Sequence, residues 1–213
     1  RSQLNHGTNS HSAPGSIFKI VTAAAALEAG FKTDEEISCR REFFLKGVKK
    51  PYRCHSRWGH GDITMQRAFE TSCNVFFYNL AERLKAQPLY DMARRFGFGQ
   101  ITGHKIYSGD AESRGILLDP SGHTIYPGEV LLMGIGQGRA IEVTPIQVAR
   151  AYAALCNGGT LIRPQILGEV RGARGELVRR PGIEKAGNMT LSDEVRDEII
   201  GGLKVVVNGE FGT

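Results

Sequence analysis

Pro14-Gly15-Ser16-Ile17-Phe18-Lys19-Ile20-Val21-Thr22-Ala23-Ala24-Ala25-Ala26-Leu27-Glu28-Ala29-Gly30 is the stretch on which the fold turns. From Ser16 to Ala29 it is apolar nearly all round and rich in alanine, and it stops at a glycine, which predicts a buried helix with a glycine terminator. Upstream, residues 1–15 are polar and read as loop. The loop delivers a serine into the first helical turn, where unpaired backbone N–H groups and the helix dipole favour negative charge. Residues i and i+3 share a helix face, so the Ser16 hydroxyl and the Lys19 amine can meet. A serine is a poor nucleophile until a base takes its proton, and a lysine whose ammonium is disfavoured by burial can be that base. The tetrapeptide alone carries little weight, because about one Ser-x-x-Lys is expected by chance in a chain of ordinary composition and this size. Its place, after Pro14-Gly15 and at the head of an apolar helix, gives it meaning.

Moving outward, residues 32–62 show no sustained period and read as surface strands or loops. Short helices are expected from Thr64 to Glu70, Cys73 to Lys85 and Pro88 to Phe96, the second with Val75, Phe76, Leu80 and Leu84 facing inward. Gly97 and Gly99 break the pattern. Gly134-Ile135-Gly136-Gln137-Gly138 reads as a tight turn near a cleft; no Lys-Ser/Thr follows it, which excludes a phosphate loop. Thr144-Pro145-Ile146-Gln147 combines an N-cap threonine, a proline at the first helical position and a glutamine that closes a capping box. That helix runs to Cys156, which the pattern assigns to the core, before Asn157-Gly158-Gly159. Residues 165–180 suggest two strands around Gly172-Ala173-Arg174-Gly175. Ser192 opens a last helix, with Asp193 and Glu194 near its positive end.

At 213 residues and 41% hydrophobic, the chain can bury one core. The net charge of +5 comes without a basic stripe or a nucleic-acid motif, so nucleic acid is not an expected partner. No stretch approaches ~18 continuous apolar residues, the length that spans a bilayer. Ser72-Cys73-Asn74, at the head of a helix with an apolar face, fits the Ser-x-Asn element of active-site serine penicilloyl enzymes, which sets a hydroxyl and an amide opposite a Ser/Lys pair.

Taken in order, the Ser16-to-Lys19 segment with Ile20, Gly59-His60-Gly61, Ser72-Cys73-Asn74-Val75-Phe76-Phe77-Tyr78, Phe96-Gly97-Phe98-Gly99, and the Gly134–Gly138 turn followed by Thr144–Gln147 resemble the transpeptidase domain of class B penicillin-binding proteins, most of all the penicillin-binding protein 2 type of cell elongation. The resemblance runs through the whole chain. It implies an α/β transpeptidase fold, a helical subdomain over an antiparallel sheet with the cleft between them, incomplete in this chain. Residues 1–213 would be part of one domain, without its N-terminal strands and without the Lys-Ser/Thr-Gly strand that similar chains carry soon after a Gly-Thr like Gly212-Thr213; such a piece would be inactive alone. The implied activity is peptidoglycan D,D-transpeptidation through a serine acyl-enzyme. Ser16 would be the nucleophile and Lys19 its base. Ser72 and Asn74 would relay protons and hold the substrate amide, and the Ser16 backbone N–H would form half the oxyanion hole. The implied partners are stem peptides, β-lactams and a membrane glycosyltransferase of the elongation machinery, with the catalytic domain on the periplasmic side of the inner membrane and no cofactor for catalysis. Two alternatives stay open: a D,D-carboxypeptidase or β-lactamase using water as acceptor, and a non-enzymatic penicillin-sensing domain.

The cysteines raise a separate question. In an oxidising periplasm a Cys39–Cys54 disulfide is one reading, with Cys73 and Cys156 as buried thiols. The other is that Cys39, Cys54, His60 and Cys73 form a Cys₃His set, the composition of a closed structural zinc site. Similar chains carry Asp at the first two of these positions, and Asp can ligate zinc but cannot form a disulfide, which favours metal. A metal on Cys73 would also stiffen its neighbours Ser72 and Asn74. His6, His11, His55, His104 and His123 have no ligand spacing.

Overall fold

The computed structural model describes residues 5–104 and 112–212. The quoted segment is helical but not uniform. It begins as a 3-10 turn, Gly15–Phe18, and becomes α1, Lys19–Glu28, in which every residue from Lys19 to Ala26 is buried. Its four small alanines let neighbouring helices approach from all sides. Along the chain follow the short strands β1 (Ile37–Cys39), β2 (Glu42–Phe43), β3 (Tyr52–Arg53) and β4 (Gly61–Ile63), then α2 (Met65–Glu70), α3 (Asn74–Leu84) and α4 (Ala86–Arg95). Next come β5 (Ile116–Leu117), α5 (Pro127–Gly134), β6 (Ile141–Glu142), α6 (Pro145–Cys156), β7 (Thr160–Ile162), β8 (Val170–Arg171), β9 (Leu177–Arg179), β10 (Lys185–Asn188) and α7 (Asp193–Asn208). No described helix is long and apolar enough to cross a membrane.

The helices surround α1 and build the core, with Phe18, Phe76, Phe77 and Phe96 fully buried. Phe76 and Phe77 meet edge-on at 5.7 Å between centroids, and Phe69 meets Phe77 at 5.5 Å, a geometry the ring quadrupoles favour. Of the paired glycines inside α7, Gly202 has a packing reason: a Cβ there would overlap the Phe69 ring of α2. The antiparallel component takes the form of five two-stranded ladders among the described residues, β1–β4, β2–β3, β5–β6, β7–β10 and β8–β9. The β5–β6 ladder is extended by a bridge between Ser12 and Val143, which brings the approach to the serine turn alongside β6.

Most helix boundaries expected from sequence lie within one or two residues of those observed. The capping box on α6 forms, with Thr144 N–H donating to Gln147 Oε1 at 2.9 Å and Gln147 N–H to Thr144 Oγ1 at 3.4 Å. Ser192 caps α7 by accepting from Val195 N–H at 3.2 Å. Helix α5 has no counterpart in the sequence reading. Its signal was present in Pro127 at the first helical position and in Glu129, whose carboxylate accepts from Tyr126 N–H at 3.0 Å. Cys156 corrects another expectation: it is exposed, not core. As the last residue of α6 it falls on the open side, while Ala151, Ala154 and Leu155 take the buried face.

Candidate active site

The serine turn is placed by backbone contacts on its N-terminal side. Gly15, at φ +63°, donates its N–H to Gly136 O at 2.8 Å, and a Cβ on Gly136 (φ +68°) would overlap the Gly15 carbonyl oxygen. Both positions therefore need glycine, one for the turn and one for the close approach. The glycine-rich segment after α5 thus serves as the floor under Ser16, and Thr22 of α1 ties down the same segment by donating to Gly134 O at 2.8 Å. Ser16 is exposed, whereas Lys19, at the start of α1, is 2% exposed.

Ser72 and Asn74 come from the junction of α2 and α3. Ser72 N–H donates to Phe69 O at 3.0 Å and Cys73 N–H to Ala68 O at 2.9 Å, the paired bonds of a Schellman motif. The position that closes such a motif is left-handed and usually glycine. Here it is Ser72, at φ +48°. A side chain in that conformation costs of order 1 kcal/mol. Immediately afterwards Cys73 caps α3, its Sγ accepting from Phe76 N–H at 3.4 Å. The turn throws Ser72 and Asn74 to one side of the chain and Cys73 to the other.

On the first side, Lys19 Nζ donates to Ser72 O at 2.7 Å, Ser72 Oγ at 2.9 Å and Asn74 Oδ1 at 2.9 Å. The Ser72 hydroxyl donates in turn to Ser16 Oγ at 2.9 Å. The structure thus brings together the four side chains singled out from sequence, but not quite as the helix-face argument expected. The described hydrogen bonds link Lys19 to Ser16 through Ser72, with no direct Ser16–Lys19 bond among them: the ammonium is engaged instead by the three acceptors of the Ser72–Asn74 turn. Burial lowers the Lys19 pKa to about 8, an effect opposed by negative charge on the nearby Cys73 and Cys54 sulfurs. The Lys19 ammonium also lies 5.3 Å from the Phe77 ring centroid, at cation–π range.

On the far side lie Cys39 from the end of β1, Cys54 just after β3, His60 just before β4, and Cys73. Their ligand atoms are all within 4.8 Å of one another. Cys39 Sγ and Cys54 Sγ stand 3.5 and 3.6 Å from His60 Nδ1, and Cys54 Sγ is 3.9 Å from Cys73 Sγ. Tetrahedral zinc with bonds of roughly 2.3 Å to sulfur and 2.0–2.1 Å to nitrogen would separate its ligands by about 3.8 Å (S···S) and about 3.5 Å (S···N). The donor set fits that geometry. Hydrogen bonds from Cys39 and Cys73 favour the thiolate of Cys54, while the same bonds hold Cys39 and Cys73 protonated; burial disfavours the charged form of His60, so a metal binding here would displace the protons of Cys39 and Cys73. The Cys39–Cys54 disulfide left open by the sequence is not formed. All four cysteines are free, and Cys54 is shared between Cys39, His60 and Cys73. His55 packs beside the cluster with its ring 5.4 Å from that of His60.

Comparison with known proteins points the same way as the geometry. Residues 2–213 match the family model of the penicillin binding protein transpeptidase domain. Stage V sporulation protein D of Bacillus subtilis is 39% identical over 161 residues, covering 73% of this chain and 23% of the relative. Peptidoglycan D,D-transpeptidase MrdA of Acinetobacter baumannii is 34% identical over 173 residues, covering 78% and 25%. Among solved structures, Pseudomonas aeruginosa PBP2 in complex with WCK 5153 superposes with a TM-score of 0.83 at 29% identity, over 98% of this chain and 47% of that one. The imipenem acyl-enzyme of penicillin-binding protein A from M. tuberculosis gives a TM-score of 0.74 at 25% identity, over 95% and 46%. The chain thus spans about a quarter of the curated relatives and just under half of the solved chains. A match across nearly its whole length, with the antiparallel and helical elements of the solved fold, establishes that the chain belongs to the penicillin-binding protein transpeptidase domain family, in its class B, penicillin-binding protein 2 branch.

Proposed function

We propose that the protein carrying this chain is a serine D,D-transpeptidase that cross-links peptidoglycan stem peptides and is acylated by β-lactams. The observation that carries the reading is the hydrogen-bonded path from Lys19 through Ser72 to Ser16, closed by Asn74. In this reading neutral Lys19 accepts the Ser72 proton as Ser72 accepts that of Ser16, and Ser16 Oγ bonds to the penultimate D-Ala carbonyl. The developing oxyanion faces the Ser16 backbone N–H. As the tetrahedral intermediate collapses, the C–N bond breaks and the proton held on Lys19 returns through Ser72 to the departing D-Ala amine. An amine from a neighbouring stem then attacks the ester by the reverse route and leaves Ser16 free. A β-lactam enters the same sequence, but its amine stays tethered after ring opening.

Residues 1–213 are read as part of a larger transpeptidase domain with a Lys-Ser/Thr-Gly strand in a following segment. The support is that this chain covers 47% of the similar PBP2 chain. The catalytic domain is read as periplasmic, tied to the inner membrane and working beside a membrane glycosyltransferase; the likeness to MrdA, a peptidoglycan D,D-transpeptidase, supports the periplasmic placement. Zinc is the metal proposed for Cys39, Cys54, His60 and Cys73, supported by the donor spacing. When bound it would supply a structural cross-link and no reaction step. Cys73 would then anchor, from behind, the turn that presents Ser72 and Asn74.

The deciding experiment labels full-length protein with a fluorescent penicillin beside Ser16→Ala. The reading expects a covalent band in the first and none in the second; equal labelling of both sinks it. Elemental analysis with a thiol count tests the metal, and protein holding no metal and one disulfide would end that proposal.

A further inference from the structure

The two ends of the serine turn are secured differently from its middle. At the N-terminal end, the Gly15–Gly136 bond and the Ser12–Val143 bridge hold the backbone. At the other end, Phe18 is fully buried and its ring lies 5.9 Å from that of Phe98. Between them Ile17 is 43% exposed, so its side chain contributes little anchorage. Its carbonyl is tied instead. The Tyr152 hydroxyl, reaching from α6, donates to Ile17 O at 3.0 Å. A carbonyl oxygen has two lone pairs, so this bond adds to any helical bond that Ile17 makes.

We propose that Tyr152 is a positioning residue: its phenol fixes the Ile17–Phe18 peptide, the centre of the turn joining Ser16 to Lys19, and so sets the aim of the nucleophile toward Ser72 and the incoming carbonyl. The inference rests on the reading that Ser16 is acylated. Tyr152 touches none of the reacting atoms and acts through the turn. Burial raises the phenol's pKa to about 12, so it remains a donor throughout the pH range in which the lysine titrates. Small errors of aim at a nucleophile are expensive, since near-attack geometry supplies much of the rate.

The test is stopped-flow acylation of full-length protein by a chromogenic β-lactam, with the burst amplitude counting competent sites. Tyr152→Phe is expected to lower the per-site acylation rate constant about three- to tenfold, the worth of one neutral hydrogen bond. The pre-acylation binding constant and the midpoint of the pH–rate profile should not change. Replacing Tyr152 with p-aminophenylalanine, which restores an N–H donor on the same ring, should recover the rate to within about twofold of wild type. A merely structural tyrosine would lower amplitude or melting temperature and leave the per-site rate alone, and that result overturns the inference. So does a p-aminophenylalanine protein that stays slow, a comparison that holds even if the phenylalanine variant does not fold. Labelling of Ser16→Ala would defeat the underlying reading instead, whatever Tyr152 does.

Discussion

Two groups of four side chains sit back to back across a single turn of chain. In front, Ser16, Lys19, Ser72 and Asn74 form a set the protein completes by itself: one cation, three oxygen acceptors at 2.7–2.9 Å, and a hydroxyl passing the chain on to Ser16, the proposed nucleophile. Behind, Cys39, Cys54, His60 and Cys73 converge at 3.5–3.9 Å through soft donors that cannot satisfy one another as thiols satisfy a metal. The first set needs a proton to move, the second a charge to stay. What joins them is the Schellman turn, which sends alternate residues of Ser72-Cys73-Asn74 to opposite sides. The strained Ser72 backbone is therefore the shared hinge of a proposed reactive front and a proposed structural back.

The largest effect should come from the front. Lys19→Ala removes the base and is expected to slow acylation by about 10²–10⁴-fold, the usual range for general-base loss; burst kinetics with a β-lactam measure it, and a change under tenfold would remove Lys19 from that role. On the far side, Cys73→Ser or prolonged chelation should lower the melting temperature by about 10 °C. That corresponds to a few kcal/mol in a domain of this size, with zinc content falling in parallel. Melting that ignores chelation in a zinc-loaded preparation would break the contrast between the two groups.

The hinge offers a sharper test. Ser72→Gly relieves the left-handed strain and should stabilise the fold by up to about 1 kcal/mol. It also severs the path from Lys19 to Ser16 and slows acylation. Stability and activity should therefore move in opposite directions, and a variant that loses both would show that the Ser72 hydroxyl, not its backbone, dominates the local energy.

A smaller effect concerns pH. Because burial lowers the Lys19 pKa to about 8, the neutral base accumulates as pH rises through that value, and the acylation rate should climb to a plateau above it. The same shift has a stability sign. Between about 8 and the ordinary lysine value of 10.5 the unfolded chain binds more protons than the native one. This group's penalty therefore fades with rising pH across that window and is present in full below it. A pH–rate profile flat from about 6 to about 10 on the wild-type protein, a span that brackets the lysine, would contradict the assignment.

Much of this was readable in advance. Ala23 to Ala26 flanked by Ser16 and Gly30 specify a buried helix through local propensity and pattern, and Thr144-Pro145-Ile146-Gln147 announces its helix through capping chemistry confined to four neighbouring residues. Other features were less legible. Helix α5 is short and lies beside a glycine-rich turn, so its period is too brief to register. Cys156 was assigned inward because a helix end has no pattern beyond it to fix its face. Ile17, apolar in sequence, is turned outward, and the tyrosine that holds its carbonyl lies 135 residues away.

By itself, the sequence determined which side chains could do chemistry, their order, and the helices that carry them, because propensity, capping and i,i+3 spacing act over a few residues. Only the tertiary structure decided that the lysine reaches the serine through Ser72, that the cysteines gather with His60 instead of pairing, and that Tyr152 braces the turn. Those outcomes depend on distances between segments far apart in the chain, and such distances are fixed only when the whole core packs.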